Sequence, residues 1–186
     1  MESISALPSD PAAELAAAES ARQRLAGSLR MPAWVYTSLG AAVSVQIGAA
    51  AYGLSDDASG PRLIAVAVGA LVFAAVAAVL WLRFRRLNGV RVGGLFSRAL
   101  MGTSNVAALA ETAGLGVAVW AALVGQWWLV VVASVAGGVG YAVSARLWWR
   151  DYQREPAAHA HGDSRATWTV VGLATVAGLV ALLILG

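Results

Sequence analysis

The chain contains no cysteine and no lysine, and charged residues make up only 12% of its 186 positions. The missing thiol excludes disulfides, thiolate metal sites and cysteine nucleophiles. The missing lysine leaves all thirteen basic residues as arginine. So little charge, against 59% hydrophobic residues, departs from the roughly 25% charged composition of soluble domains. Also lacking is an early apolar run behind a basic start: Glu2 and Asp10 open the chain, and about thirty residues pass before the first apolar block. A cleaved leader is therefore not expected, and that first block is expected to remain as an anchor.

What the chain has instead is five apolar stretches, each close to the ~20 residues that a helix needs to cross ~30 Å of hydrocarbon. They run from Trp34 to Leu54, Leu63 to Leu82, Ser104 to Val124, Trp127 to Ala145 and Thr167 to Leu185. The expected fold class is an all-α membrane protein, a five-transmembrane-helix bundle over residues 31–186. Residues 1–30 form a cytoplasmic N-terminal segment. In it Asp10 before Pro11 reads as an N-cap and helix start, giving a short interfacial helix to about Leu29 with Leu15, Ala18, Leu25 and Leu29 as its apolar stripe.

Between the second and third stretches lies a basic connector, residues 83–102, with Arg83, Arg85, Arg86, Arg91 and Arg98 and no acid. Asn88 and Gly89, between Leu87 and Val90, suit a two-residue hairpin turn there. Gly60, Pro61 and Arg62 read as the short turn before the second stretch. Gly125 and Gln126 alone separate the third and fourth, which must then form a tight antiparallel pair. Residues 146–166 read as a second cytoplasmic loop.

Arginines in short flanking loops orient a membrane protein. Threading the five stretches leaves Arg62 alone on one side and the other twelve on the opposite side. The orientation this gives is N-terminus cytoplasmic and C-terminus outside, multi-pass in a bacterial plasma membrane. Tryptophan favours the head-group level, and Trp34, Trp81, Trp127, Trp128, Trp148, Trp149 and Trp168 all fall near stretch ends, with Trp120 about one turn further in. Small residues four apart allow helices to approach in lipid. Such stripes occur at Gly40, Ser44 and Gly48; at Ala70, Ala74 and Ala78; at Ala110, Gly114, Ala118 and Ala122; and at Ala174 and Gly178; Gly137, Gly138 and Gly140 add a fourth-stretch cluster.

Chemistry-bearing residues are few. Glu111 is the one acid inside an apolar stretch, and an ionisable group in hydrocarbon is costly enough to suggest function. It could serve a proton relay, a cation site or acid catalysis, or lie close to the head groups or bonded to a neighbouring helix. Gln46 and Asn105 are the other intramembrane polar candidates, with Tyr52 and Tyr141 behind them. An interhelical hydrogen bond suffices to explain a lone glutamine. His159, His161 and Asp163 have ligand chemistry without a fixed spacing to a further ligand, so a solvated linker is the expectation and no metal is assigned. Gly89, Gly93 and Gly94 lack the Lys-Ser/Thr ending of a phosphate loop. No cofactor is expected, and nucleic acid has only charge in its favour. The arginines Arg83, Arg85, Arg86, Arg91 and Arg98 are better suited to anionic lipid or a partner protein.

Glu19 to Leu25, Leu29 to Trp34, and Arg146 to Glu155 with Trp148, Trp149 and Tyr152 resemble segments of small multi-span membrane proteins of unassigned function in actinobacteria. The resemblance implies paired spans on either side of a basic cytoplasmic connector and carries no functional residue. The fifth stretch departs from that four-span layout. The resulting expectation is a protein that is not an enzyme and acts by association with itself, a membrane partner or anionic lipid. A small oligomeric transporter or channel using Glu111 and Gln46 is the alternative, and a membrane enzyme on a lipidic substrate is another.

Overall fold

A computed structural model describes residues 10–55, 60–88 and 105–156. These form five helices and no strand among the described residues: α1 Pro11–Ser28, α2 Ala33–Leu54, α3 Gly60–Asn88, α4 Asn105–Leu123 and α5 Trp127–Arg154. The apolar stretch from Thr167 to Leu185, His159, His161, Asp163, Arg91 and Arg98 lie outside the described residues.

Three helices are long and apolar enough to cross a membrane: Pro61–Asn88, Val106–Leu123 and Trp127–Arg154. Helix α2 is not among them, although it has 22 residues, because Tyr36, Thr37, Ser38, Ser44 and Gln46 dilute its apolar content. Its position explains the dilution. It packs against α3, α4 and α5 together, so much of its surface meets protein. Two of its hydroxyls are satisfied within the helix: Ser44 Oγ donates to Gly40 O at 3.0 Å and Thr37 Oγ1 to Trp34 O at 3.0 Å. On the outward faces, Leu63, Ile64, Val68 and Leu71 of α3 and Val131, Val132, Val135, Val139 and Val143 of α5 are exposed. Apolar surface of that extent is a lipid-facing or partner-facing property, since monomeric soluble proteins rarely show it.

The helix crossings use glycine. A Cβ built on Gly138 of α5 would fall on Ser44 Oγ and on the carbonyl oxygen of Gly40, and one on Gly40 would meet Gly138 O at 2.8 Å. One residue earlier, Gly137 faces α4, where a Cβ on Gly114 would lie 2.9 Å from Gly137 Cα. Adjacent glycines therefore let α5 press on α2 and α4 at the same level. Of the expected small-residue stripes, those of α2, α4 and α5 are at these crossings. Ala70, Ala74 and Ala78 of α3 are exposed instead. Helix α3 meets α2 through Gly69, where a Cβ would lie 2.6 Å from Ala49 Cβ.

Local signals set several boundaries as expected. Asp10 caps α1 by accepting from Ala12 N at 3.1 Å, with Pro11 in the first turn. The link from α4 to α5 is a Schellman-type stop: Gln126 N donates to Ala121 O at 2.8 Å, Gly125 N to Ala122 O at 3.1 Å, and Gly125 takes φ 75°.

Three expectations need correction. Asn88 is the last residue of α3 and not the start of a hairpin turn; its side chain finds a distant partner described below, and Gly89 lies outside the described residues. Residues 146–154, expected as loop, continue α5, because arginine, leucine, tryptophan and glutamine end an apolar stretch without ending a helix. Gly60 and Pro61 belong to α3, where proline is tolerated in the first turn. On α1, Leu15 and Leu25 of the expected interfacial stripe are 71% and 62% exposed, while Ala26 and, just beyond the helix, Leu29 are buried.

Candidate functional site: the basic end of the bundle

Helices α3 and α5 have 29 and 28 residues, about 43 and 42 Å at 1.5 Å per residue. Each exceeds a ~30 Å hydrocarbon core by about 12 Å, and in each the excess is the arginine-bearing C-terminal end. Arg83, Arg85 and Arg86 occupy that end of α3, and Arg146, Arg150 and Arg154 that of α5. Arg22, Arg24 and Arg30 join them through α1 and its linker, since α1 packs on α5. Arg62, at the far end, lies 5.7 Å over the Tyr52 ring, which itself stands 6.2 Å from Trp127.

The arginines at the basic end have aromatic supports. Arg83 stands 5.4 Å over Trp34 of α2 and Arg85 4.9 Å over Trp81 of its own helix. Stacking of this kind holds a guanidinium by its flat face and leaves its N–H fork free along the edge. Beneath them lies a buried aromatic layer. Phe84 meets Trp149 edge-on at 6.1 Å, Trp149 lies 5.7 Å from Tyr152, and Tyr152 stacks on Trp148 at 5.7 Å. Trp149 is thus a core residue and not a member of the interfacial belt. The sequence carried a signal for it: the buried positions of α5, Gly138, Tyr141, Ala145, Trp149 and Tyr152, keep one helical period past Ala145.

Side-chain amides stitch the linker between α1 and α2 onto this layer. The Asn88 carboxamide accepts from Arg30 N at 2.8 Å and donates to Arg30 O at 3.2 Å and to Phe84 O at 3.1 Å. It thereby imitates a neighbouring backbone strand for a single residue. Gln153 Nε2 donates to Leu29 O at 3.3 Å and Gln23 Nε2 to Arg154 O at 3.4 Å. Asn88→Ala is expected to cost about 1–2 kcal/mol, the loss of paired backbone groups at a partly buried site, and hydrogen–deuterium exchange should show faster exchange at the Arg30 amide with α4 unaffected.

Glu111 is half-buried where α4 meets α5, two turns after Asn105, which is the first residue of α4. Its charge acts on the Tyr141 phenol across the interface. Its neighbour Ala110 lies against Gly140, about 9 Å along α5 from Arg146 by helical rise, so Glu111 sits toward the basic end. Gln46 belongs to another interface. It flanks Gly69 of α3, and its Oε1 is buried without a hydrogen-bond partner. Tyr52 is at the far end. The structure thus brings Glu111 together with Tyr141 and separates both from Gln46. No group of three metal-ligating side chains occurs among the described residues.

Fold and site together define a class: a chain that is all-helical over its described residues, three of whose helices there are long and apolar enough to cross a membrane, with arginines on aromatic supports at one end. Comparison with known families, curated proteins and solved structures finds no match that narrows it further.

Proposed function

We propose that this chain is a non-catalytic, multi-pass protein of the bacterial plasma membrane that acts by association at its basic end, with anionic lipid as the associate. In this reading the basic end is cytoplasmic, α2 and the stretch from Thr167 to Leu185 complete five spans, and the C-terminus is outside. The observation that carries it is the continuation of α3 through Arg83, Arg85 and Arg86, with Arg83 and Arg85 poised over Trp34 and Trp81. Arginine and tryptophan at one level match the head-group region, where each basic residue contributes on the order of 1 kcal/mol toward a negatively charged leaflet. A transport or lipid-directed catalytic role through Glu111 has only the nearby Tyr141 phenol of α5 in its support, while Gln46 lies in a different helix interface.

Lipid analysis of the protein purified in mild detergent tests the reading. Phosphatidylglycerol or cardiolipin should be enriched over the bulk membrane, and the triple variant Arg83→Gln, Arg85→Gln, Arg86→Gln should lose most of that enrichment. Equal lipid profiles for both proteins would sink it. A reporter fused after Gly186 should read outside the cytoplasm.

A further inference from the structure

The contacts between α2 and α5 set an antiparallel register. Ser44 lies against Gly138, Gly48 against Ser134, and toward the basic end Gly40 against Ala142. Each pair keeps the same sum of residue numbers, so Tyr36 falls level with Arg146, and Arg150 one turn beyond it. The electrostatics agree: the charges acting on the Tyr36 phenol are those of Arg146 and Arg150.

Tyr36 is 8% exposed and its hydroxyl makes no hydrogen bond among the described residues. Both arginines are exposed, and among the described residues neither is ion-paired; the nearby Asp151 lies 4.0 Å from Arg154. The result is a largely buried phenol level with one exposed, unpaired guanidinium and a turn away from another. Two guanidinium groups disfavour any ligand carrying its own ammonium, and they match a phosphate geometrically.

The surface alongside distinguishes a lipid from a free anion. Val139, Val143, Arg146 and Arg150 follow at i, i+4, i+7 and i+11, one face of a helix. Both valines are exposed, so an acyl chain has an apolar track leading away from the arginines. Arg146 is also the first charge after the apolar run from Trp127 to Ala145, which sets it at phosphate depth.

We propose that Tyr36, Arg146 and Arg150 form a discrete site for the phosphate of one anionic phospholipid, with its acyl chain along Val139 and Val143. This deepens the lipid-association reading and rests on it. The site is separate from the Arg83 and Arg85 supports, so the two can be tested apart.

The test is native mass spectrometry of the full chain in detergent, titrated with phosphatidylglycerol, phosphatidylcholine or inorganic phosphate. One phosphatidylglycerol should bind preferentially over phosphatidylcholine, and millimolar inorganic phosphate should not displace it. Tyr36→Phe, which keeps the ring, should weaken that first binding event about tenfold, the loss of one hydrogen bond to a charged group. Arg146→Gln with Arg150→Gln should weaken it about thirtyfold, from ~1 kcal/mol per arginine. If the double variant fails to fold, Tyr36→Phe alone decides. Unchanged binding in Tyr36→Phe and in a folded double variant, with loss in the Arg83, Arg85, Arg86 triple variant, overturns this site and leaves the association reading standing. Equal binding of both lipids by every protein overturns both. Displacement by inorganic phosphate makes the site one for a free anion and overturns the lipid proposal.

Discussion

Gly138→Val is expected to lower the stability of the bundle in detergent by about 3 kcal/mol, the upper part of the range for forcing atoms into a filled interface. A Cβ at Gly138 has nowhere to go, because Ser44 Oγ and the Gly40 carbonyl oxygen already occupy its place. Backbone cannot rotate aside as a side chain can, so relief requires α2 and α5 to move apart along their whole crossing. Separation there also disturbs α4, which meets α5 at the adjacent Gly137. Two companions make the result interpretable. Gly116→Ala places its methyl group where nothing lies within 4 Å, and should leave stability within about 0.5 kcal/mol of the parent or slightly raise it. Ser44→Gly in the Gly138→Val background should restore little, since the Gly40 carbonyl oxygen remains. Titration with sodium dodecyl sulfate, followed by circular dichroism, gives the measurement, and a Gly138→Val protein as stable as Gly116→Ala would show that the crossing is looser than described.

Trp149→Ala should cost about 3–5 kcal/mol locally, the range for removing a large buried aromatic. Trp149 is 4% exposed and lies between Phe84 of α3 and Tyr152 of its own helix. Its loss empties the layer on which the α1–α2 linker rests. The damage is confined to the basic end, because the glycine crossings at Gly137 and Gly138 lie about three turns away along α5. Limited trypsin digestion should therefore cut after Arg30, with α4 and α5 still paired in the detergent micelle. Trypsin resistance equal to the parent would mean that the amides of Asn88 and Gln153 hold the linker unaided.

The legible part of the fold was the part governed by local rules. Block length and apolarity located α2 to α5, Asp10 and Pro11 started α1, and Gly125 with Gln126 produced the tight turn between α4 and α5. Helix ends were harder. Hydropathy falls at Arg83 and Arg146, but helical propensity does not, so both helices ran on past the apolar limit. Asn88 was misread because Asn-Gly has a strong local turn preference, whereas its partner, Arg30, is 58 residues away in sequence. In α3 a repeated alanine pattern drew attention to Ala70, Ala74 and Ala78, while the packed face was marked by the single Gly69. The arginines of α3 were visible from charge density. Tyr36 was not, since a tyrosine near the start of an apolar helix acquires meaning only from the α5 register opposite it.

The pairing of Asn88 with Arg30 also bears on how the protein is made. Arg30 precedes the first apolar stretch and Asn88 follows the second, so the ribosome delivers the two halves of this contact on opposite sides of a complete hairpin. The contact has to wait until that hairpin is in place. Gln153 reaches Leu29 only after α4 and α5 have followed. Among the described helices, α1 and its linker therefore complete their contacts only after α5 has been made.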